Sequence, residues 1–378
     1  MLRPRVNKMS DDISLKLSRE VLRKYLCSLY GEDVEVCGVW RLGEKPEVSG
    51  DLKGFGYGFP YVIEFKLGDE VKHAVFETMR PEGFGHDHFS DRAQILLWQH
   101  SAFNNLPRHV RSLDVGAFAE NGEHLKSLGK CGEFFLLTEY VDGKLYHFDL
   151  DRIRENGRIN ELDEQRCLAL SDYLVEIHKV KRGTPGLYVR RIRDLVGHGE
   201  CIMGLLDSYP LRLNFVEKSY LIDVERDCVV WRWFLKDKAH RLSQVHGDFH
   251  PWNVLFREGT DFTVLDRSRG EWGEPADDVT AMTINYIFYS LQKYGELSGI
   301  FERLFRLFWE NYLRKTGDSE ILRVVQPFYA WRGLVVASPI WYPNLSSDVR
   351  VKLFNFVKNV LRREQFDLSD VNSYFKSV

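Results

Sequence analysis

The sequence HGDFHPWN at residues 246–253, followed by VLD at residues 264–266, decides the fold of this chain. It places Asp248 and Asn253 on one tight loop and Asp266 at the end of a short apolar segment. The interval between Asn253 and Asp266 predicts two short strands and a turn at residues 258–261, a hairpin that returns both side chains to one end. Two carboxylates and an amide in this arrangement are typical of a phosphoryl-transfer site.

Each side chain has a chemical role in such a site. Asp248 is expected to orient an acceptor hydroxyl and take its proton, while Asn253 and Asp266 would give Mg²⁺ the hard oxygen ligands that it prefers. The alternative is an ordinary turn with a capping Asn253, and the combination of all three residues with the hairpin favours the site. His246 is expected to hold the loop backbone. For His250 both a direct role, towards acceptor or phosphate, and a structural role stay open.

The segment 246–253, Asp266 and the sequence GEPADDV at 273–279 together closely resemble the aminoglycoside phosphotransferase and choline kinase-like family of small-molecule kinases. In that family the metal-binding Asp is followed by Gly and then by a structural Asp, at the spacing found here for Gly273 and Asp278. The resemblance implies a protein-kinase-like fold of the α+β class. It also implies that Asp278 opens a helix and braces the catalytic loop.

The pattern of apolar residues divides the chain into two parts. Residues 1–141 are β-rich and are predicted to form the nucleotide-binding lobe, residues 144–378 are mainly helical, and the hinge is expected at about 138–143. Strands are predicted at 34–40, 61–65, 73–79, 115–119, 252–256 and 262–265, and helices at 91–103, 164–180, 278–294, 300–312 and 349–363. A first helix is predicted to begin after an N-cap at Ser10 and to stop at Gly31.

Two segments are candidates for nucleotide binding. Gly54, Gly56 and Gly58 would let backbone N–H groups approach phosphate oxygens, although a glycine-rich β-turn is the alternative. By resemblance to the family, the hinge would read the adenine edge. The hinge residues are Glu139, Tyr140 and Val141.

The resemblance breaks at one ion pair. The third strand of a kinase presents a Lys to the phosphates, paired with a Glu from the next helix. Here Glu77 lies at the Lys position and Arg92 at the Glu position, which predicts an inverted pair. In the rival alignment Lys72 or Arg80, on the opposite strand face, serves instead.

Two arginines, Arg267 and Arg269, follow the metal Asp, where the family usually has an aromatic residue and often an acid. Either they stabilise charge in the transition state, or they are surface residues paired with Glu271 or Glu274.

The composition and charge of the chain limit the classes of partner that we expect it to bind. A net charge of -3 leaves no global field that attracts nucleic acid or an anionic membrane. No long apolar run suggests a spanning helix or a secretory signal. Six scattered cysteines without a C-x-x-C pair are typical of reduced thiols in a cytoplasmic protein. The locally basic segment 188–200 slightly favours an anionic or neutral polyol acceptor over a cation.

These observations predict an ATP- and Mg²⁺-dependent kinase that acts on a hydroxyl of a small polar metabolite. Two alternatives stay open. Glu77 at the Lys position is also compatible with a pseudokinase-like nucleotide sensor or scaffold, and the inverted pair is a weak hint of adenylyl transfer on the same fold.

Overall fold

The computed structural model describes residues 18–41, 58–79, 85–105, 110–119, 124–134, 136–210, 213 and 215–377. The chain divides into two compact units, Met1–Thr138 and Glu139–Val378. The first is called the N-terminal unit and the second the C-terminal unit below.

The N-terminal unit begins with helix α1 (Arg19–Tyr30), where Ser18 caps the first turn by accepting the N–H of Val21. Gly31 ends the helix in the left-handed conformation at φ 74°, as the sequence predicts. The predicted N-cap Ser10 lies outside the described residues. Strands β1 (Val34–Arg41), β2 (Gly58–Leu67) and β3 (Glu70–Met79) form an antiparallel sheet in chain order.

A small core joins this sheet to α1. It consists of Leu22, Leu26, Val34, Ile63 and Phe65, all nearly fully buried. Helix α2 (Phe89–Asn104) and a short hairpin of β4 (Gly116–Phe118) and β5 (Leu125–Ser127) follow.

The C-terminal unit is mainly helical and contains the larger core. Its helices are α3 (His147–Asn156), α4 (Glu161–His178), α5 (Pro185–Gly197), α6 (Ile202–Asp207), α7 (Lys218–Leu235), α8 (Pro275–Tyr294), α9 (Gly299–Thr316), α10 (Gln326–Ala337) and α11 (Ser347–Leu361). Its strands are β6 (Lys144–Leu145), β7 (Ser243–Gln244), β8 (Val254–Phe256), β9 (Phe262–Val264) and β10 (Trp272–Gly273). Strands β6, β8 and β9 form one small sheet, and β7 pairs with β10. The α+β class predicted from the sequence is confirmed.

Helix α8 runs through the centre of the C-terminal unit, and every residue from Pro275 to Leu291 is buried. Its buried Thr280 and Thr283 donate to the carbonyl oxygens one turn back, so their hydroxyls are satisfied without water. Glu274 caps the helix by accepting the N–H of Ala276. The fixed start of this helix matters because its first turn holds the loop at residues 246–253.

In the described residues no helix is long and apolar enough to span a membrane.

Candidate active site

The hairpin predicted between Asn253 and Asp266 is confirmed. A short 3₁₀ turn, Pro251–Asn253, leads into β8, and β8 pairs with β9 in the register Val254 with Val264. The N–H of Leu265 donates to the carbonyl oxygen of Asn253 at 2.8 Å. This bond extends the pairing of β8 and β9 by one residue on each strand. Asp266, the next residue, therefore lies at the end of the hairpin where the loop carrying Asn253 enters it.

The first turn of α8 braces the loop. The two carboxylate oxygens of Asp278 accept the backbone N–H groups of His246 and Gly247, each at 2.7 Å, and one of them also lies 3.1 Å from Nε2 of His178. Burial on its own raises the pKa of Asp278, but the hydrogen bond and charge of His178 and the contacts of His246 outweigh it and lower the pKa. An ionised, fully buried Asp278 therefore fixes the loop backbone, which is the bracing contact that the resemblance implies.

His246 also serves the loop backbone. Its Nδ1 accepts the N–H of Asp248 at 3.2 Å. The ring is 2% exposed, and burial lowers its pKa, so the neutral form is favoured.

Asp248 is the most heavily contacted residue of the loop. Its Oδ1 lies 2.6 Å from Nη1 of Arg332 and 2.8 Å from Nη1 of Arg269. Its Oδ2 lies 3.5 Å from Nε2 of His250. Burial on its own raises the pKa of Asp248, but the charge of Arg332, with His250 and Arg269, outweighs it and holds the pKa well below the usual range. Asp248 is therefore an ionised carboxylate with low basicity.

Arg332 reaches this carboxylate from helix α10. Its Nη2 donates to Oδ1 of Asp277 at 2.6 Å and to the carbonyl oxygen of Gly247 at 3.4 Å. The guanidinium carbon lies 3.8 Å from the centre of the Trp331 ring. With only 5% of its surface exposed, Arg332 bridges two acidic side chains inside the protein.

His250 and Asn253 both contact Asp248, the first at its carboxylate and the second at its backbone carbonyl oxygen. Nδ1 of His250 accepts the N–H of Trp252 at 3.2 Å, which leaves the ring proton of the neutral form on Nε2, the nitrogen facing Asp248. Nδ2 of Asn253 donates to the carbonyl oxygen of Asp248 at 3.1 Å and lies 3.3 Å from Nε2 of His250. The amide nitrogen of Asn253 is thus directed at the loop. Its oxygen accepts no hydrogen bond from the described residues.

Asp266 is exposed and has a φ of 54°, and it is the one non-glycine residue in the described part of the chain with positive φ. One carboxylate oxygen accepts the N–H of Ser268 at 3.2 Å. The amide oxygen of Asn253 and the Asp266 carboxylate are hard donors suited to Mg²⁺, which usually takes few protein ligands and completes its shell with water and substrate phosphates. The donor set fits that ion.

The two arginines after Asp266 do different things. Arg267 donates through Nε and Nη2 to the carbonyl oxygen of Val245, at 3.1 and 2.8 Å. It thus links the segment after Asp266 to the residue before the loop 246–253. Arg269 contacts Asp248 and, at 3.7 Å, the exposed Glu200. Neither forms an ion pair with Glu271 or Glu274 among the described residues, so that alternative is wrong.

The predicted inverted pair of Glu77 and Arg92 is also wrong. Within the described residues the two side chains form no ion pair. Instead Nη1 of Arg92 donates to the carbonyl oxygens of three residues preceding α2, at 2.7, 3.3 and 3.0 Å for His86, Asp87 and His88. Helical side chains point towards the N-terminus of their helix, and Arg92 in the first turn of α2 is therefore carried back over the preceding loop.

The other nucleotide candidates stay predictions. Gly54 and Gly56 lie outside the described residues, and Gly58 is the first residue of β2, paired with Met79. The segment 139–141 has no helix or strand, and Tyr140 is 91% exposed.

Arg332 and Asp277 were not among the site residues predicted from the sequence. A signal was present: α10 reads QPFYAWRGLVVA, and Arg332 is its one charged residue. A lone charge in an apolar helix predicts a buried partner of opposite sign.

Residues 108–305 match the model of the phosphotransferase enzyme family. The chain belongs to that family. The matched range contains the catalytic loop, the hairpin and the start of α8, and this phosphotransferase therefore has the two-lobed, protein-kinase-like α+β fold of its relatives.

Solved structures similar to this phosphotransferase include three kinds of small-molecule kinase. An amicoumacin kinase bound to AMP-PNP and Ca²⁺ is 14% identical, with 95% of this chain and 98% of that chain covered and a TM-score of 0.39. A choline kinase from Streptococcus pneumoniae is 12% identical, with 90% and 98% covered and a TM-score of 0.33. An aminoglycoside phosphotransferase is 16% identical, with 91% and 99% covered and a TM-score of 0.35. No curated protein matches the sequence of this chain.

Proposed function

We propose that this phosphotransferase is a kinase that transfers the γ-phosphoryl group of Mg-ATP to a hydroxyl of a small polar metabolite. The observation that carries the proposal is the common placement of Asp248, Asn253 and Asp266 on one braced loop and hairpin. In the reaction the acceptor oxygen forms a bond to the γ-phosphorus and the bond to the ADP oxygen breaks. The hydroxyl proton becomes strongly acidic as the new bond forms, and it then passes to the carboxylate of Asp248.

Asp248 contributes mainly orientation. A carboxylate whose pKa is held low by Arg332 and Arg269 is a weak base, but it accepts a hydrogen bond from the acceptor hydroxyl and aims the oxygen at phosphorus. This is sufficient because the transition state of phosphoryl transfer is loose, and catalysis depends on positioning and on stabilising charge.

Asn253 and Asp266 would hold the metal ion. When bound, Mg²⁺ neutralises charge on the nucleotide phosphates. Asn253 Nδ2 donates to the backbone of Asp248, so the loop fixes the distance between its metal-facing amide and its acceptor-facing carboxylate.

The alternatives have lost part of their support. Adenylyl transfer rested on an inverted pair of Glu77 and Arg92, and these residues form no such pair in the described structure. A sensor without turnover has no need for an acceptor-facing carboxylate that is braced from two helices, and Asp248 is held in this way.

The test is a search for the product. The purified protein is incubated with Mg-ATP and fractions of polar cellular metabolites, and mass spectrometry follows nucleotide loss and new products. A product heavier by one phosphoryl group, absent with the Asp248→Asn variant, supports the proposal. A product carrying AMP, or nucleotide binding without turnover in any fraction, would contradict it.

A further inference from the structure

We infer that Arg332 is a positioning residue for phosphoryl transfer: it fixes one carboxylate oxygen of Asp248 and so presents the other to the acceptor hydroxyl. This inference rests on the proposed function and adds to it a residue that lies beyond the segment matched by the family model, which ends at residue 305.

The two oxygens of Asp248 have different surroundings. Oδ1 accepts a hydrogen bond from Arg332 at 2.6 Å, and Nη1 of Arg269 lies 2.8 Å from the same oxygen as an ion pair, so two guanidinium groups cover Oδ1. Among the described residues only His250, at 3.5 Å, approaches Oδ2 with a charged or polar side-chain atom. Oδ2 is therefore the oxygen that is open to an acceptor hydroxyl, because the two guanidinium groups crowd Oδ1.

Arg332 is held so that it cannot follow a moving Asp248. Its second nitrogen is fixed by Asp277 at 2.6 Å, and Asp277 lies in the first turn of the buried helix α8. One face of the guanidinium packs on Trp331. A planar fork that is anchored at two carboxylates determines both the distance and the rotation of each.

Asp277 and Asp278 are consecutive and divide the support of the loop. Asp278 holds the backbone at His246 and Gly247. Asp277 holds Arg332, which holds the Asp248 side chain. One helix turn thus sets both the backbone path and the carboxylate direction.

The chain also contains a buried arginine that serves as a matched control. Arg241 is 4% exposed and is bound by Glu274 at 2.8 Å and by Asp318 at 2.7 Å. Like Arg332 it is buried among acidic side chains, with Glu320 as a third partner at 3.3 Å, but none of the hydrogen bonds that it forms with described residues reaches residues 246–253. A loss that arises only from breaking a buried ion pair should appear equally in both arginines.

The experiment compares Arg332→Lys with Arg241→Lys. Lysine keeps the charge but has no planar fork, so it cannot hold Asp248 and Asp277 in their present geometry. Turnover is measured with Mg-ATP and the metabolite fraction that gives a phosphorylated product, and ATP affinity is measured by calorimetry in the presence of Mg²⁺. We expect Arg332→Lys to lower kcat by about 10- to 100-fold, the cost of a misplacement of about 1 Å, with the affinity for Mg-ATP unchanged. Arg241→Lys should lower the melting temperature similarly and leave kcat within about twofold, since it has no contact with the loop.

A double variant tests whether Arg332 acts through Asp248. In the Asp248→Asn background the added change Arg332→Lys should lower kcat by less than twofold, because the group it positions is already gone. Full additivity, or equal kcat losses in the two lysine variants, would overturn the inference while leaving the kinase proposal intact. Absence of a phosphorylated product from the wild-type protein would overturn the kinase proposal itself, and this inference with it.

Discussion

Asp248 and Asp266 show how two carboxylates on one hairpin acquire different properties. Asp248 is mostly buried, and two guanidinium groups fix one of its oxygens. Asp266 is exposed, and within the described part of the chain its carboxylate accepts a hydrogen bond only from the backbone N–H of Ser268. The first is therefore suited to orienting a neutral hydroxyl, and the second to holding a hydrated cation.

Replacing Asp248 with Asn tests the first assignment. The amide oxygen is expected to face the two arginines, which turns the NH₂ group towards the acceptor, where it accepts neither a hydrogen bond nor a proton, so kcat should fall by about 10²- to 10⁴-fold. The affinity for Mg-ATP, measured by calorimetry, should be unchanged because Asn253 and Asp266 are intact. Turnover within threefold of the wild type would remove Asp248 from the proposed mechanism.

Replacing Asp266 with Ala tests the second. Without the anionic ligand, Mg²⁺ should no longer strengthen nucleotide binding, whereas binding measured without the metal should be little changed. The measurement is an Mg²⁺ titration of ATP affinity in both proteins. An unaltered Mg²⁺ dependence would mean that the metal lies elsewhere.

At the scale of elements, the sequence predicts well where a periodic or turn-forming pattern exists. The hairpin of β8 and β9 and the helices α4, α8 and α9 follow from such patterns, with ends that differ by a few residues. Helix α10 was not predicted because its apolar residues surround the helix and leave no stripe to recognise.

The same limit explains why only part of the candidate site could be predicted from the sequence. Loop residues 246–253 are close in sequence, and their spacing shows their chemistry. Arg332 lies more than 80 residues further along the chain, and it contacts the loop through its hydrogen bond to Asp248. The predicted pair of Glu77 and Arg92 failed because helical geometry turns the Arg92 side chain towards the N-terminus of α2. Long-range side-chain pairing depends on packing, which a local pattern does not contain.

The start of α8 provides a test at this scale. Replacing Asp278 with Ala leaves two loop N–H groups and His178 without their acceptor in a fully buried place. The free energy of unfolding should fall by about 3–5 kcal/mol, the range for breaking a buried charged pair. Urea denaturation measures it, with Asp261→Ala, an exposed carboxylate of the β8–β9 turn, as the control. A loss below 1 kcal/mol would show that the brace is not needed for stability.

The 3₁₀ segment Ser319–Arg323 gives a prediction about pH. Partial burial on its own raises the pKa of Glu320, but hydrogen bonds from Lys238 and His240 and the charge of Arg241 outweigh it and lower the pKa to about 2. A lowered pKa in the folded state stabilises the protein at pH values above 4.5, the ordinary pKa of a glutamate, and this contribution is lost as the pH falls towards 2. The free energy of unfolding should therefore decrease less steeply over that window in Glu320→Gln than in the wild type. Parallel acid limbs in denaturation curves would contradict this.

At the scale of the whole molecule, the two units differ in how much of their function the described residues contain. The C-terminal unit, Glu139–Val378, carries Asp248, Asn253 and Asp266 together with the helices that brace them. The described residues of the N-terminal unit, Met1–Thr138, form a three-stranded sheet, a short hairpin and the helices α1 and α2, while Gly54 and Gly56, two of the three glycines predicted to cover the phosphates, lie outside the described residues. The described structure thus defines the residues proposed for phosphoryl transfer more closely than those proposed for nucleotide binding.

The left-handed backbone conformation of Asp266 has one further consequence, for the balance between thermal stability and activity. An L-residue pays about 1–2 kcal/mol for a left-handed conformation, and Asp266 adopts it at φ 54°. Glycine would relieve that strain, so Asp266→Gly should raise the free energy of unfolding and lower the affinity of the proposed site for Mg²⁺. Selection for thermal robustness alone would therefore favour removing this carboxylate, and selection for turnover would oppose it.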